Sequence, residues 1–130
     1  SVEHDPVYSM AIQKQAAACH VSDMIEFVHA PLIGVESDSQ GRSYDLTALP
    51  DIQIDVALID GPPIMNGTYT RLSPLRWAVQ HLTQSGTVFL DDAARESEQL
   101  CLQALQKEFP TLKISNRTAE KGLLELCLNA

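Results

Sequence analysis

No G-x-G occurs in these 130 residues: Gly34, Gly41, Gly61, Gly67, Gly86 and Gly122 all stand alone. The chain as it stands therefore lacks a glycine-rich turn of the kind that lets backbone approach a ligand closely. Basic residues are also scarce. Nine Lys and Arg, scattered singly, face seventeen Asp and Glu, for a formal charge of -8. Nucleic acid is excluded as an expected partner, because phosphate binding depends on clustered cations. No apolar run nears the ~20 residues of a membrane span, and no basic-plus-apolar segment resembles a leader, so no membrane partner is expected. The three cysteines, Cys19, Cys101 and Cys127, have no short paired spacing. They predict neither a zinc site nor a disulfide framework, but small buried hydrophobes in a reducing compartment, hence a cytoplasmic protein. Internal repeats and low-complexity tracts are likewise missing.

What remains is a chain with 45% hydrophobic residues, enough for one domain over 1–130 that buries roughly two-thirds of its unfolded surface. Asp5-Pro6 predicts a helix start by cap and proline, with Tyr8, Ala11, Ile12, Gln15 and Cys19 on one face. Met24–Val28 predicts a short strand running into His29-Ala30-Pro31. The polar, Ser/Asp/Gly-rich stretch from Gly34 to Pro50 predicts a long loop, and loops of that length are often functional. Asp55–Ile59 is a buried strand. A loop through Gly61-Pro62-Pro63 and Asn66-Gly67 follows, then a helix opened by Ser73-Pro74 with Leu75, Ala78, Val79 and Leu82 on its inner face. Ser85-Gly86 closes that helix, Thr87–Leu90 is a second buried strand, and Glu96–Phe109 is a third helix. Leu112–Thr118 and Leu123–Leu128 read as a hairpin around Gly122. The alternation predicts an α/β sheet with helices on both faces and an antiparallel edge.

Two of the strands end in acid: Val56-Ala-Leu-Ile-Asp60 and Thr87-Val-Phe-Leu-Asp91-Asp92. Open α/β sheets hold ligands in the crevice beyond the carboxyl ends of their strands. Asp60 closes a buried strand, where an idle carboxylate is expensive; it either meets a ligand or caps the Gly61 turn. Neighbours on a strand point to opposite faces, so only one of Asp91 and Asp92 is expected to share a crevice with Asp60. Arg95 predicts a structural pair with an aspartate. Among the histidines, only His29 stands at a strand end that faces the expected crevice. Tyr44 and Tyr69 fall in the two long loops, where they either line a substrate pocket or, as the simpler reading has it, face solvent.

In order and spacing these features resemble the class I S-adenosylmethionine-dependent methyltransferases, a Rossmann-like fold whose mostly parallel sheet ends in an antiparallel hairpin. Asp60-Gly-Pro-Pro63 with Asp91-Asp-Ala-Ala-Arg95 is most similar to the small-molecule O-methyltransferase branch. The resemblance implies S-adenosylmethionine as cofactor and a small-molecule acceptor. It also implies Glu3 as the acid that binds the ribose, with His29 and Ala30 beside the adenine. Asp60 falls at the cofactor's ammonium, and Asp60 with Asp92 at the reacting groups. The acid that binds metal in catechol-type relatives aligns with Asp92, but the asparagine that follows it there is Ala93 here, so no divalent metal is expected. The family's first strand and its glycine-rich turn are not matched, and Val2–Asp5 aligns with the end of the second strand. The expected chain is thus the carboxyl-terminal part of such a domain, with its N-terminal strands missing and exposed sheet edges that favour homo-oligomers. The alternative is a non-catalytic Rossmann-like module that has lost cofactor binding and serves assembly.

Overall fold

Among the residues described by the computed structural model (1–35, 38–63 and 67–128, with 38–40 by backbone alone), the chain forms eight strands and three helices. The first strand, β1 (Val2–Glu3), leads into α1 (Pro6–Ala18). Asp5 caps α1 as its sequence predicts: Oδ1 accepts from the N–H groups of Val7 and Tyr8 at 2.8 and 3.3 Å, and Pro6 takes a position that needs no donor. A 3-10 turn over Ser22–Met24 delays the next strand, β2 (Val28–His29), which pairs parallel with β1. The strand expected from Met24 thus shrinks to its last residue and His29.

The polar segment expected as loop instead holds an antiparallel hairpin of β3 (Leu32–Val35) and β4 (Asp38–Tyr44). Backbone pairing drives it, and its inner end is pinned by side chains. Ser43 is buried and donates its hydroxyl to the Thr70 carbonyl at 2.6 Å, while Tyr44 is buried beside it. Glu36 and Ser37 from this segment, and Asn66 from the later loop, lie outside the described residues.

The main core belongs to the rest of the chain. Here β5 (Ile54–Ile59), α2 (Leu72–His81), β6 (Leu82–Asp91), α3 (Glu96–Glu108), β7 (Leu112–Arg117) and β8 (Leu123–Leu128) follow in turn. The sheet order is β5-β6-β8-β7, with β5 and β6 parallel and the other pairs antiparallel. Leu72, Leu75, Ala78 and Val79 form the inner stripe of α2 and meet Ile59, Val88, Leu90 and Leu126 of the sheet, with Leu102 and Leu105 of α3 closing the cluster. Helix α2 starts at Leu72, before Ser73-Pro74, because proline is tolerated throughout the donor-free first turn. It ends at His81, and β6 begins at Leu82, earlier than Ser85-Gly86 suggests.

Alternation along β5 puts Ala57 and Ile59 on the helix-covered face and Val56 and Leu58 on the other. Val56 and Leu58 are 64% and 67% exposed. Both α2 and α3 pack on one face, whereas α1 packs along β1 and the 3-10 turn, so the two-sided cover expected for β5 is one-sided. Among the described residues no strand joins β1 to β5. Their unpaired edges border one cleft instead.

Candidate functional site

That cleft, about 810 Å³ in volume, runs along β1 and the length of β5 from Ile54 to Ile59, with Glu3, His4, Tyr44, Asp60, Arg71 and Asp92 along its polar side toward the carboxyl ends of those strands. Glu3 is held by its own turn: Oε1 accepts from the backbone N–H of His4 and Asp5 at 2.7 and 2.8 Å, and the His4 ring nitrogen stands 2.8 Å away. Asp60 follows β5 directly and keeps 64% of its side chain exposed. Asp92 follows β6, and only 11% of its side chain is exposed.

Asp92 departs from the alternation that separates strand neighbours. It stands just past the strand with φ of +53°, a left-handed conformation that Asp tolerates better than most residues. The carboxylate therefore returns to the side of its neighbours, and Asp60, Asp91 and Asp92 each place one oxygen within 4.8 Å of the others. Of the pair, Asp92 lines the crevice with Asp60 and Asp91 does not, in keeping with the expectation of one, although all three acids stand close together. Gly122 makes this turn possible. The backbone N–H of Ala93 donates to its carbonyl at 3.1 Å, and at φ of +82° a Cβ there would lie 2.8 Å from the Ala94 nitrogen.

The charge of the three acids is partly met by arginine. Arg95 reaches Asp92 Oδ2 at 2.7 Å, the pair its sequence position predicts. Arg71 lies 3.6 Å from Asp60 and 3.8 Å from Asp92 with only 2% of its side chain exposed. Three oxygen donors at this spacing satisfy the ligand type of a hard cation, but two of the carboxylates already face guanidinium groups.

Tyr44, expected in solvent, is buried at the end of β4 and hangs over Gly61. A Cβ on Gly61 would collide with its hydroxyl oxygen and stand 3.2 Å from its Cζ. Burial, with the negative charge of Glu3, pushes the phenol up to about 12 against the opposing pull of Arg71; Asp60 adds to the rise. The hydroxyl therefore stays protonated and available as a donor near neutral pH. Tyr69 is half-buried against the core.

Of the residues singled out by sequence, Glu3, Asp60 and Asp92 line the cleft, whereas His29 and Ala30 do not. His29 is exposed on β2, in register with Glu3, and Ala30 is fully buried, its N–H donating to the Glu3 carbonyl at 2.9 Å. His29 thus stands beside the acid without facing the crevice. The cysteines also divide. Cys101 is buried, with its thiol pushed up to about 11 by burial, and Cys127 is half-buried, but Cys19 is exposed. From sequence Tyr44 is a pocket candidate ranked below a solvent-facing reading and Arg71 is undecided between the two, and both line the cleft; Glu98, the buried partner of Arg71, is given no site role, since nothing local marks it.

No protein-family model matches this sequence, and no curated protein matches it. Solved structures do. A Staphylococcus aureus protein assigned as a caffeoyl-CoA O-methyltransferase superposes with a TM-score of 0.66 at 14% identity, covering 98% of this chain and 63% of its own. The fold is that of a Rossmann-like methyltransferase. The SAH-bound methyltransferase PaMTH1 of Podospora anserina gives 0.60 at 14% identity, over 99% of this chain and 59% of its own. A Corynebacterium diphtheriae domain assigned as a precorrin-6Y C5,15-methyltransferase gives 0.52 at 15%, over 99% and 72%. This chain therefore spans under two-thirds of the length of the first two. Among the described residues no helix is long and apolar enough to cross a membrane.

Proposed function

We propose that this chain is the carboxyl-terminal part of an S-adenosylmethionine-dependent methyltransferase domain that acts on a small molecule, in a cytoplasmic setting. One observation carries the reading: Glu3, Asp60 and Asp92, three carboxylates at separate strand ends, line a single cleft. A bound cofactor would supply an electrophilic methyl group on a sulfonium. Glu3, its Oε1 fixed by two backbone donors, offers its second oxygen to the ribose hydroxyls. Asp60, the most exposed of the crevice acids, accepts from the ammonium. Asp92, steadied by Arg95, accepts from the acceptor hydroxyl and aligns it; alignment is the main requirement when the methyl donor is already activated. Tyr44, from above Gly61, offers its O–H as a hydrogen-bond donor. His29 and Ala30 stand beside Glu3 on the next strand but line no part of the cleft, so this reading gives them no direct contact with the cofactor. The reading includes no divalent metal, because arginines already face Asp60 and Asp92 and position 93 is Ala.

A second reading rests on the one-sided sheet. The unpaired edges of β1 and β5 and the exposed Val56 and Leu58 suit an assembly module that has lost its cofactor and associates through those edges. Calorimetric titration of the purified chain with S-adenosylhomocysteine separates the two. Micromolar binding is expected; a folded chain that releases no heat and forms concentration-dependent oligomers on gel filtration would replace the enzyme with the module.

A further inference from the structure

We propose that Arg71 is the positioning residue of the crevice: its guanidinium ties the carboxyl ends of β5 and β6 together and so sets where Asp60 and Asp92 stand. Few places are worse for a cation than the 2%-exposed position it holds, and a buried charge persists only when its donors are used. Here they are. Nη1 donates to the Asp91 carbonyl at 2.9 Å, Nη2 to the Asp60 carbonyl at 3.0 Å, and Nε lies 3.5 Å from the Pro62 carbonyl. Asp91 is the last residue of β6, and Asp60 and Pro62 follow β5, so the fork spans two neighbouring strands where their own ladder stops.

Behind the fork, Glu98 of α3 is 1% exposed, and its Oε1 stands 3.5 Å from Arg71 Nε. That oxygen has no hydrogen-bond partner among the described residues, while Oε2 accepts from the Ser97 hydroxyl. Glu98 therefore acts as counter-ion from the side away from the cleft. The carboxylates of Asp60 and Asp92 lie 3.6 and 3.8 Å from the guanidinium on the cleft side, close enough to be held by its charge and too far to be consumed by direct hydrogen bonds. Arg71 thus leaves Asp60 open to a ligand, whereas Oδ2 of Asp92 is already met by Arg95 at 2.7 Å. Lysine offers its three donors from a single nitrogen and so lacks the planar fork that Arg71 spreads over the Asp60, Pro62 and Asp91 carbonyls.

The proposal rests on Asp60 and Asp92 being the crevice acids of the function given above, so its test needs a readout that does not require the cofactor. Two variants serve, Arg71→Lys and the double variant Arg71→Met/Glu98→Leu, which removes both buried charges together and is the change a purely structural pair tolerates. Each is measured by thermal melting, by hydrogen–deuterium exchange of the segments 59–62 and 91–94, and by titration with S-adenosylhomocysteine. Both are expected to fold, to exchange roughly tenfold faster at those strand ends with unchanged rates within β5 and β6, and to bind roughly tenfold more weakly, the scale of one charge-assisted hydrogen bond. Either folded variant that keeps wild-type exchange and affinity overturns the proposal. If the double variant does not fold, Arg71→Lys alone decides. If the wild type itself does not bind, the methyltransferase reading fails, and the exchange rates still decide the role of Arg71.

Discussion

The two ends of this chain are stabilised to very different degrees. Every residue of the main hydrophobic cluster lies between Ile59 and Leu126, where α2 and α3 cover the four-stranded sheet. The first 44 residues contribute Ala16, Ala30 and Tyr44 to the buried apolar set, while Val7, Tyr8 and Met10 of α1 stand 68%, 57% and 54% exposed. Strands of two residues hold β1 to β2, and six or more residues form each strand of the larger sheet. The carboxyl-terminal region thus has a core of its own, and the amino-terminal region is secured by caps, short pairings and contacts at the cleft. The crevice acids come from both, Glu3 from the weaker side and Asp60 and Asp92 from the stronger, so a ligand that bridges them would fasten the two together.

The difference breaks most visibly under truncation of apolar side chains. Leu126→Ala removes a fully buried side chain at the centre of the sheet and is expected to cost ~2–5 kcal/mol in urea unfolding. Met10→Ala, on the exposed face of α1, should stay within ~0.5 kcal/mol. Similar costs for both would mean that the amino-terminal face is buried in solution, which is the outcome that self-association through these surfaces predicts.

How much of this is legible in the sequence follows the same divide. The apolar runs of β6 and β8 and the Leu75, Ala78, Val79 stripe announce themselves because burial selects composition, whereas the run of β5 is apolar on both faces although only one is covered. Asp5-Pro6 marks α1 correctly because a cap is a local device. The β3–β4 hairpin is hidden, since Ser39, Gln40, Gly41, Arg42 and Ser43 carry no apolar alternation and backbone pairing leaves no compositional trace. Within the site, the strand-end acids are visible as residues that break apolar runs. Asp92 stands in the crevice as its alignment implies, but alternation does not foretell how close Asp91 comes, because the left-handed backbone at Asp92 breaks it. Arg71 gives no deciding signal because its partners, Asp60, Asp91, Asp92 and Glu98, lie on three other elements, and burial of a cation is decided by tertiary structure alone.

At the seam between the regions, Gly61 sharpens the comparison. Tyr44 from the hairpin occupies the space that a Cβ at position 61 would need. Gly61→Ala is expected to cost ~1–3 kcal/mol through forced displacement of the ring. Tyr44→Phe removes the oxygen that makes the closest contact, so in that background the cost should fall by about half or more, a coupling read from the double-mutant cycle. Additive costs would mean that the backbone at Gly61, and not the ring above it, sets the fit.

The smallest effect tests the same seam through pH. Tyr44 has its phenol raised from 10.0 to about 12, chiefly by burial. A group whose folded value lies above its unfolded one holds its proton more tightly in the native state. Its contribution to stability is complete below pH 10, declines as pH rises through the interval from 10 to 12, and is gone above it. Each tenfold difference in proton affinity between the folded and unfolded states is worth about 1.4 kcal/mol, so the loss attributable to this ring by pH 11.5 is ~2 kcal/mol at most. Other groups also titrate there, and subtraction isolates the contribution: wild type and Tyr44→Phe are melted side by side from about pH 9 to 11.5, which brackets most of that interval. The wild type should lose stability more steeply, and parallel curves would show that the phenol is already solvated, with the hairpin lifted off Gly61 and the cleft open on that side. A steeper wild-type curve that flattens when S-adenosylhomocysteine is added would place the ligand against the ring itself, because a bound molecule that excludes water from the phenol moves its titration to still higher pH.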